Sequence, residues 1–231
     1  MTDKGGSQPQ GKESGAKNKS IKRQFVADGV FKAELNQFFL RAIAADGYSG
    51  LEVTVNNMKT FIKISVTKYK DFVGENGRKL QELTSLIQKR FGYNDSNNKV
   101  ELHVRSITNR SLSAQAQAEA IKHKILGGFP IRVVAHSALR TIMREAKGVE
   151  IAISGCLRGQ RAKTQKYRAG VRVSTGQPKI DYIVKAVRHV ELAKGIVGVR
   201  LKIMLPHDPT GQVGPQKPLP DIIKIKPPKT E

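Results

Sequence analysis

Six basic side chains crowd the stretch "LRGQRAKTQKYRAGVRV", Leu157–Val173: Arg158, Arg161, Lys163, Lys166, Arg168 and Arg172, with no Asp or Glu among them. Guanidinium forks match phosphate oxygens bidentately, and lysine adds a compact point charge. A run of this kind repels itself in free solution. It is relieved when it displaces counterions from a polyphosphate. Between Arg158 and Arg172 the run follows a strand-like segment, contains Gly159 and Gly170, and has Tyr167 as its one large apolar side chain. It is therefore expected to be a long loop between two strands, projecting cations toward a polyanion.

A second constellation is Gly74-Glu75-Asn76-Gly77, followed by Arg78 and Lys79. Paired glycines let the backbone turn tightly and let a phosphate approach where a Cβ would stand. The helix expected to open at Arg78 aims its free N–H groups and positive dipole end at that gap. Glycine pairs are common in turns, but this one lies after a strand and before a helix and a further strand. In that context it resembles the GXXG loop of a KH module, which clamps a nucleotide backbone. Glu75 faces the other way electrostatically, since a carboxylate repels phosphate. The alternative is a plain helix N-terminus, with Glu75 stabilising the dipole.

Composition bounds the partner. The 231 residues hold 41 Lys and Arg against 19 Asp and Glu, a formal net charge of +22. Self-repulsion on that scale opposes compaction, and a nucleic acid is the first partner that relieves it. A membrane surface is second, but no long apolar run exists and no membrane partner is expected. The N-terminus lacks the apolar core of a secretory signal. The lone Cys156 excludes an internal disulfide and a multi-cysteine zinc site, and fits a reducing compartment.

The elements that must position these residues fall into four parts. Residues 1–20 are nearly free of apolar side chains and are expected to form a flexible basic tail. Residues 21–105 are expected to fold. Asp28 is placed to cap a helix carrying Phe31, Leu35, Phe38, Phe39, Ala42 and Ile43, and Gly47 to stop it. "LEVTV" and "FIKISV" alternate as strands, the GXXG turn leads to a helix with Leu80, Leu83, Leu86, Ile87 and Phe91, and "VELHV" closes the unit. The order, with its extra N-terminal helix and strand, resembles a type II KH domain. Residues 106–205 carry two helices, "SLSAQAQAEAIKHKILGG" and the one opened by Pro130, packed on a sheet. Its strands are expected at "VEIAI", "VRVST" and "GIVGVRLKIML", whose Arg200 and Lys202 give the sheet a positive outer face. "DYIVKAVRHV" is ambiguous between helix and strand. Residues 206–231, rich in Pro and Gly, are expected to be an extended tail. The fold class is α/β in the α+β sense.

Several segments together carry a wider resemblance: "FVADGVFKAELNQFFLRAIAADGYSGLEV", "GENGRKLQELTSLIQKRFGY", "SGCLRGQRAKTQKYRAG", "AVRHVELAKGIVGVRLKIMLPHDPTG" and "GPQKPLPD". In colinear order they are similar to the eukaryotic form of the small-subunit ribosomal protein S3 family, over nearly the whole chain after the first tail. The resemblance implies a type II KH domain followed by a C-terminal α/β domain, in the head of the small subunit where messenger RNA enters. It implies contacts with small-subunit ribosomal RNA, messenger RNA and neighbouring ribosomal proteins. It also implies no cofactor, and a cytoplasmic, ribosome-bound location with transient nuclear passage during assembly. It assigns "DYIVKAVRHV" to a strand. The family's basic loop matches Arg158, Arg161, Lys163 and Lys166. Its KH loop is Gly-Glu-basic-Gly, and Asn76 here replaces the basic residue. Its messenger-facing helix begins with two arginines. Here the pair is Arg132-Val133, which leaves Arg140 and Arg144 on later turns to share the charge.

No enzyme is expected. His103, His123, His136, His189 and His207 are scattered, and no nucleophile–base–acid set, Walker loop or dinucleotide fingerprint is legible. The alternative from another class is an extra-ribosomal nucleic-acid-binding protein with DNA-repair lyase activity. That would need a lysine amine of lowered pKa for a Schiff base.

Overall fold

A computed structural model describes residues 20–56, 59–93, 99–157, 159, 161–219, 223 and 225–228. The tail expected at residues 1–20 lies outside them except for Ser20. Two sheets, each with helices on one face, make up the described chain.

The first sheet has the order β1 (Tyr48–Val55), β2 (Lys59–Val66), β3 (Lys99–Ser106). β1 and β2 are antiparallel, and β2 and β3 are parallel. A parallel pair needs a crossover, supplied here by α2 (Tyr69–Val73), the Gly74–Gly77 turn and α3 (Arg78–Phe91). Alternation in β2 sends Ile62, Ile64 and Val66 into a core with Val100 and Leu102 of β3, Phe72 of α2 and Ile87 of α3. Phe31, Leu35 and Phe39 of α1 (Ile21–Ala42) cover the same face.

Three expectations for this unit are corrected. α1 starts at Ile21, so Asp28 is interior and caps nothing; the residues before it are ordinary helix formers, and the helix runs on past the core with Ile21, Phe25 and Val30 exposed. The short helix α2 was missed, because five residues are too few to show a helical period. Val55 and Leu86 are exposed, although each fits its apolar pattern, because the strand end and the helix flank stand clear of the core.

The second sheet is fully antiparallel, with the order β5 (Lys163–Gly170), β4 (Gly148–Gly155), β7 (Gly195–Met204), β6 (Ile183–Leu192). α4 (Ala114–Leu126) and α5 (Ile131–Ile142) cover one face. Their Ile121, Ile125, Val134 and Ile142 meet Ile151, Ile153, Val199 and Leu201 from the strands. Ser113 caps α4 by accepting from the Ala116 N–H, and Gly127 closes it. Buried Glu119 of α4 takes the guanidinium of Arg188 on β6 at 2.8 Å and fastens helix to sheet.

The expected long basic loop is corrected here. Residues 163–170 are strand β5, and "VRVST" is not a strand. β5 is an edge, where lysine and arginine deter pairing with other chains. It needs only Tyr167 and Ala169, both half-buried, to hold it on the core. "DYIVKAVRHV" is largely the strand β6, preceded by the short helix α6 (Pro178–Tyr182). The tail expected over 206–231 is docked at its start. Tyr182 packs with Met204 and Leu219 and donates its hydroxyl to the Lys217 carbonyl. Asp208 closes a turn by accepting from the N–H groups of Thr210, Gln212 and Val213, which with the Thr210 hydroxyl hold its pKa at about 2.

Two glycines separate packing from backbone freedom. A Cβ on Gly148 would stand 1.8 Å from the Val171 carbonyl oxygen, whereas one on Gly77 meets nothing but sits at φ 74°. Gly148→Ala is expected to cost on the order of 3 kcal/mol through backbone clash, and Gly77→Ala about 1–2 kcal/mol through left-handed strain alone. Urea midpoints at unchanged m-values check the order; equal losses would contradict it.

Candidate nucleic-acid interface

The GXXG turn is built as its residues dictate. Gly74 has φ 70° and ψ −173°, a region open to glycine, and Gly77 has φ 74°. Between them Asn76 is left-handed at φ 53°, a conformation Asn tolerates better than most residues. Gly77 sits at the N-cap of α3 with no side-chain bond to the first turn, so the helix N–H groups face the gap. The two neighbouring cations are committed elsewhere. Lys79 turns back, donating to the Asp71 carbonyl at 2.9 Å and lying 3.9 Å from Asp46. Arg78 pairs with Glu82 on its own helix at 2.9 Å. The loop therefore presents backbone, Asn76 and the exposed carboxylate of Glu75, beside cations already paired within the protein.

The basic stretch is divided by its own alternation. β5 pairs with β4 so that Lys163, Gln165 and Tyr167 lie opposite Gly155, Ile153 and Ile151, on the helix side. Lys166 and Arg168 lie opposite Ala152 and Glu150, on the open side. One run of sequence thus feeds two surfaces. Arg161 is exposed in the connection between the strands, and Arg158 lies outside the described residues.

On the helix side, Arg132 and Arg140 share one exposed stripe of α5 with His136, and Arg144 follows in the turn beyond it. His136 meets Tyr167 edge to face at 5.4 Å, which sets α5 beside β5. Arg132 and Gln165 line one cleft. None of these three arginines forms an ion pair among the described residues. They border an open groove of about 650 Å³.

On the open side, Arg168, Glu150, Lys202 and Lys185 stand in one row across β5, β4, β7 and β6. Lys166, Ala152, Arg200 and Val187 make the next row. Arg172 and Lys179 close one end of a concavity of about 620 Å³. The single carboxylate in that lining is Glu150, 7% exposed. It accepts from Arg172 at 2.5 Å, from Lys202 at 3.4 Å and from Arg168 at 3.5 Å. Burial by itself would raise the Glu150 pKa. The hydrogen bonds and charges of Arg172 and Lys202 outweigh it, and the carboxyl is held below its ordinary value.

Sequence reasoning found Lys166, Arg168 and Arg172 but placed them on a loop, and noted Arg200 and Lys202 without joining the two sets. It missed Glu150, Lys179 and Lys185. The signal for Glu150 was present: in "GVEIAI" it is the polar member of a buried alternation, facing the same way as Arg200 and Lys202 on the neighbouring strand. Lys185 lay in the segment whose period was ambiguous.

Residues 121–203 match the family described as "Ribosomal protein S3, C-terminal domain". The match begins inside α4 and stops one residue short of the end of β7, so it takes in α5 and all but the last residue of the four-stranded sheet.

Glu150→Gln keeps the shape and removes the charge that three cations share. It is expected to destabilise the fold by about 1–3 kcal/mol at neutral pH, the cost of leaving charged donors poorly satisfied. The folded carboxyl sits below its ordinary 4.5, so its contribution is full above that value and fades as pH falls through the lowered one. Urea titrations from about pH 7 down to about pH 3 should show the gap between the two proteins closing. A gap independent of pH would mean that Glu150 does not act through its charge.

Proposed function

We propose that this chain, a member of the ribosomal protein S3 family, is a structural constituent of the small ribosomal subunit that binds its RNA and helps to hold incoming messenger RNA. The observation that carries this is the open face of the second sheet, where Lys166, Arg168, Arg172, Lys179, Lys185, Arg200 and Lys202 converge around Glu150. A surface of that sign, fixed on strands, fits ribosomal RNA phosphates by position and reads no sequence. The stripe Arg132, Arg140 and Arg144 is a separate positive surface on the other side of the sheet, and we assign it the messenger strand. Its arginines are exposed and uncommitted, as a contact to a moving backbone requires. Val133 dilutes the charge at the start of that helix, and Arg140 restores some of it further along.

The first unit supports a type II KH assignment. A helix and a strand precede the β2–α2–GXXG–α3–β3 core, and β2 runs parallel to β3. With Lys79 turned back to the Asp71 carbonyl and Glu75 in the loop, its contact with RNA is one of backbone shape. Residues 20–105 and 106–219 then act as two RNA-binding units side by side, with neighbouring ribosomal proteins on the remaining surface. Among the described residues no helix is long and apolar enough to cross a membrane.

Two substitutions away from Glu150 test the sheet. Lys166→Ala with Arg200→Ala is expected to melt as the parent does. It should bind a small-subunit ribosomal RNA fragment with a salt slope shallower by about two, one per lost phosphate contact. An unchanged slope would remove this face from the RNA interface. For the helix stripe, Arg132→Glu is expected to enter small subunits that survive a high-salt wash, yet to retain messenger segments less well whatever their sequence. Failure to enter subunits would make Arg132 a ribosomal RNA anchor instead. Entry with full messenger retention would leave it no such role.

A further inference from the structure

We infer that the open face of the first sheet is a seat for single-stranded RNA, with the Phe61–His103 ring stack as its base platform and Arg105 as its phosphate anchor. The inference rests on the chain being an RNA-binding protein, but it concerns a surface apart from the GXXG turn, the second sheet and α5.

The helices cover only the face of this sheet that carries Ile62, Ile64, Val66, Val100 and Leu102. By alternation Lys59, Phe61, Lys63 and Ser65 of β2, and His103 and Arg105 of β3, point the other way. Phe61 and His103 stack across the strands with ring centroids 5.8 Å apart and planes 27° apart. His103 is 56% exposed, and no helix of the first unit lies over the pair. An aromatic on a solvent-facing sheet surface, flanked by cations, suits a base laid flat on it, because every base has a π-face.

The charges agree with a strand running along that face. Lys59 is taken by Glu101 at 2.6 Å, and His103 lies 3.8 Å from the same carboxylate. Lys63 and Arg105 form no ion pair among the described residues, although Glu52 stands opposite Lys63 in the β1–β2 register. Just beyond, the face leads into a cleft of about 300 Å³ where the second unit abuts it. Arg105 lines that cleft with Ser49, Ser65, Asn109 and Gln212, and Glu52 forms part of its wall. The volume is at the small end of ligand sites, room for about one nucleotide. Hydroxyl and amide groups there suit a ribose or a base edge. A base on the stack, a phosphate at Arg105 and a second nucleotide in the cleft would span the face without reading sequence.

The test uses the full chain and an unstructured uridine hexaribonucleotide carrying a central 2-aminopurine, whose fluorescence falls when it stacks. The chain should quench it on binding. Phe61→Leu and His103→Leu should each abolish the quench and weaken binding about tenfold, as expected for one lost stack. Arg105→Gln should weaken binding and flatten its salt dependence while keeping the quench. The Lys166→Ala, Arg200→Ala double variant should quench as the parent does. His103 is exposed, so its variant decides the matter should Phe61→Leu not fold. Ribosomal RNA binding without any quench of the oligomer, or full quench by both ring variants, overturns the platform alone. A chain that binds neither RNA overturns the RNA-binding function with it.

Discussion

Glu150 is the carboxylate on which the cationic face depends. Strand pairing places Arg168 and Lys202 on either side of it, and Arg172 reaches it from the segment after β5. Without a shared anion these like charges would splay into solvent, each in many rotamers. With it they are held over one concavity, so a phosphate arriving there would meet donors already in place and would cost less side-chain entropy to bind. The carboxylate lowers the charge of the face by one and supplies order in exchange. Surface ion pairs are usually worth little. This one differs because its anion is buried and its three partners come from two separate stretches of chain.

The second constraint is parity. A strand sends neighbouring residues to opposite faces, so the basic run between Leu157 and Val173 cannot act as one patch once β5 pairs with β4. Lys163 goes to the side of α5 and Lys166 and Arg168 to the open side. The stretch is therefore divided between the two sides of the sheet, where it joins cations that other elements supply: α5 on one side, β6 and β7 on the other. Edge position makes this tolerable: β5 needs few apolar contacts, and its charges also guard the unpaired edge.

The fold was largely legible where one periodicity dominated. β2, with Ile62, Ile64 and Val66, and α5, with Val134, Ala138 and Ile142, follow their patterns into the core. Legibility failed where charge masked the period. In "KTQKYRAG" a single aromatic was too little to signal a strand, and its pairing with β4 is a long-range fact no local window holds. It failed again where an element was short, as in α2, and where Asp28 offered a cap that helix propensity on its N-terminal side overrode. For the site, residue types were enough to find most of the cations, but not to learn which are free. Lys79 and Arg78 follow the GXXG turn as a phosphate clamp would have them, yet both are engaged by the protein's own oxygens.

That engagement has a consequence for how the two units share their work. The first unit offers a helix N-terminus whose nearest lysine and arginine are both paired with the protein's own oxygens, so a phosphate there would gain dipole and N–H groups but little added charge. The second offers many guanidinium and ammonium groups, three of them held in place by Glu150. Counterion release scales with the cations engaged, so on the proposed function most of the salt-sensitive part of affinity would belong to the second unit, with Arg105 as the first unit's share. The first would contribute contacts that depend on the shape and path of the RNA. On that proposal a long, folded RNA touching both surfaces would be held by charge on the second unit and positioned by shape on the first, and neither would need to recognise a base pair.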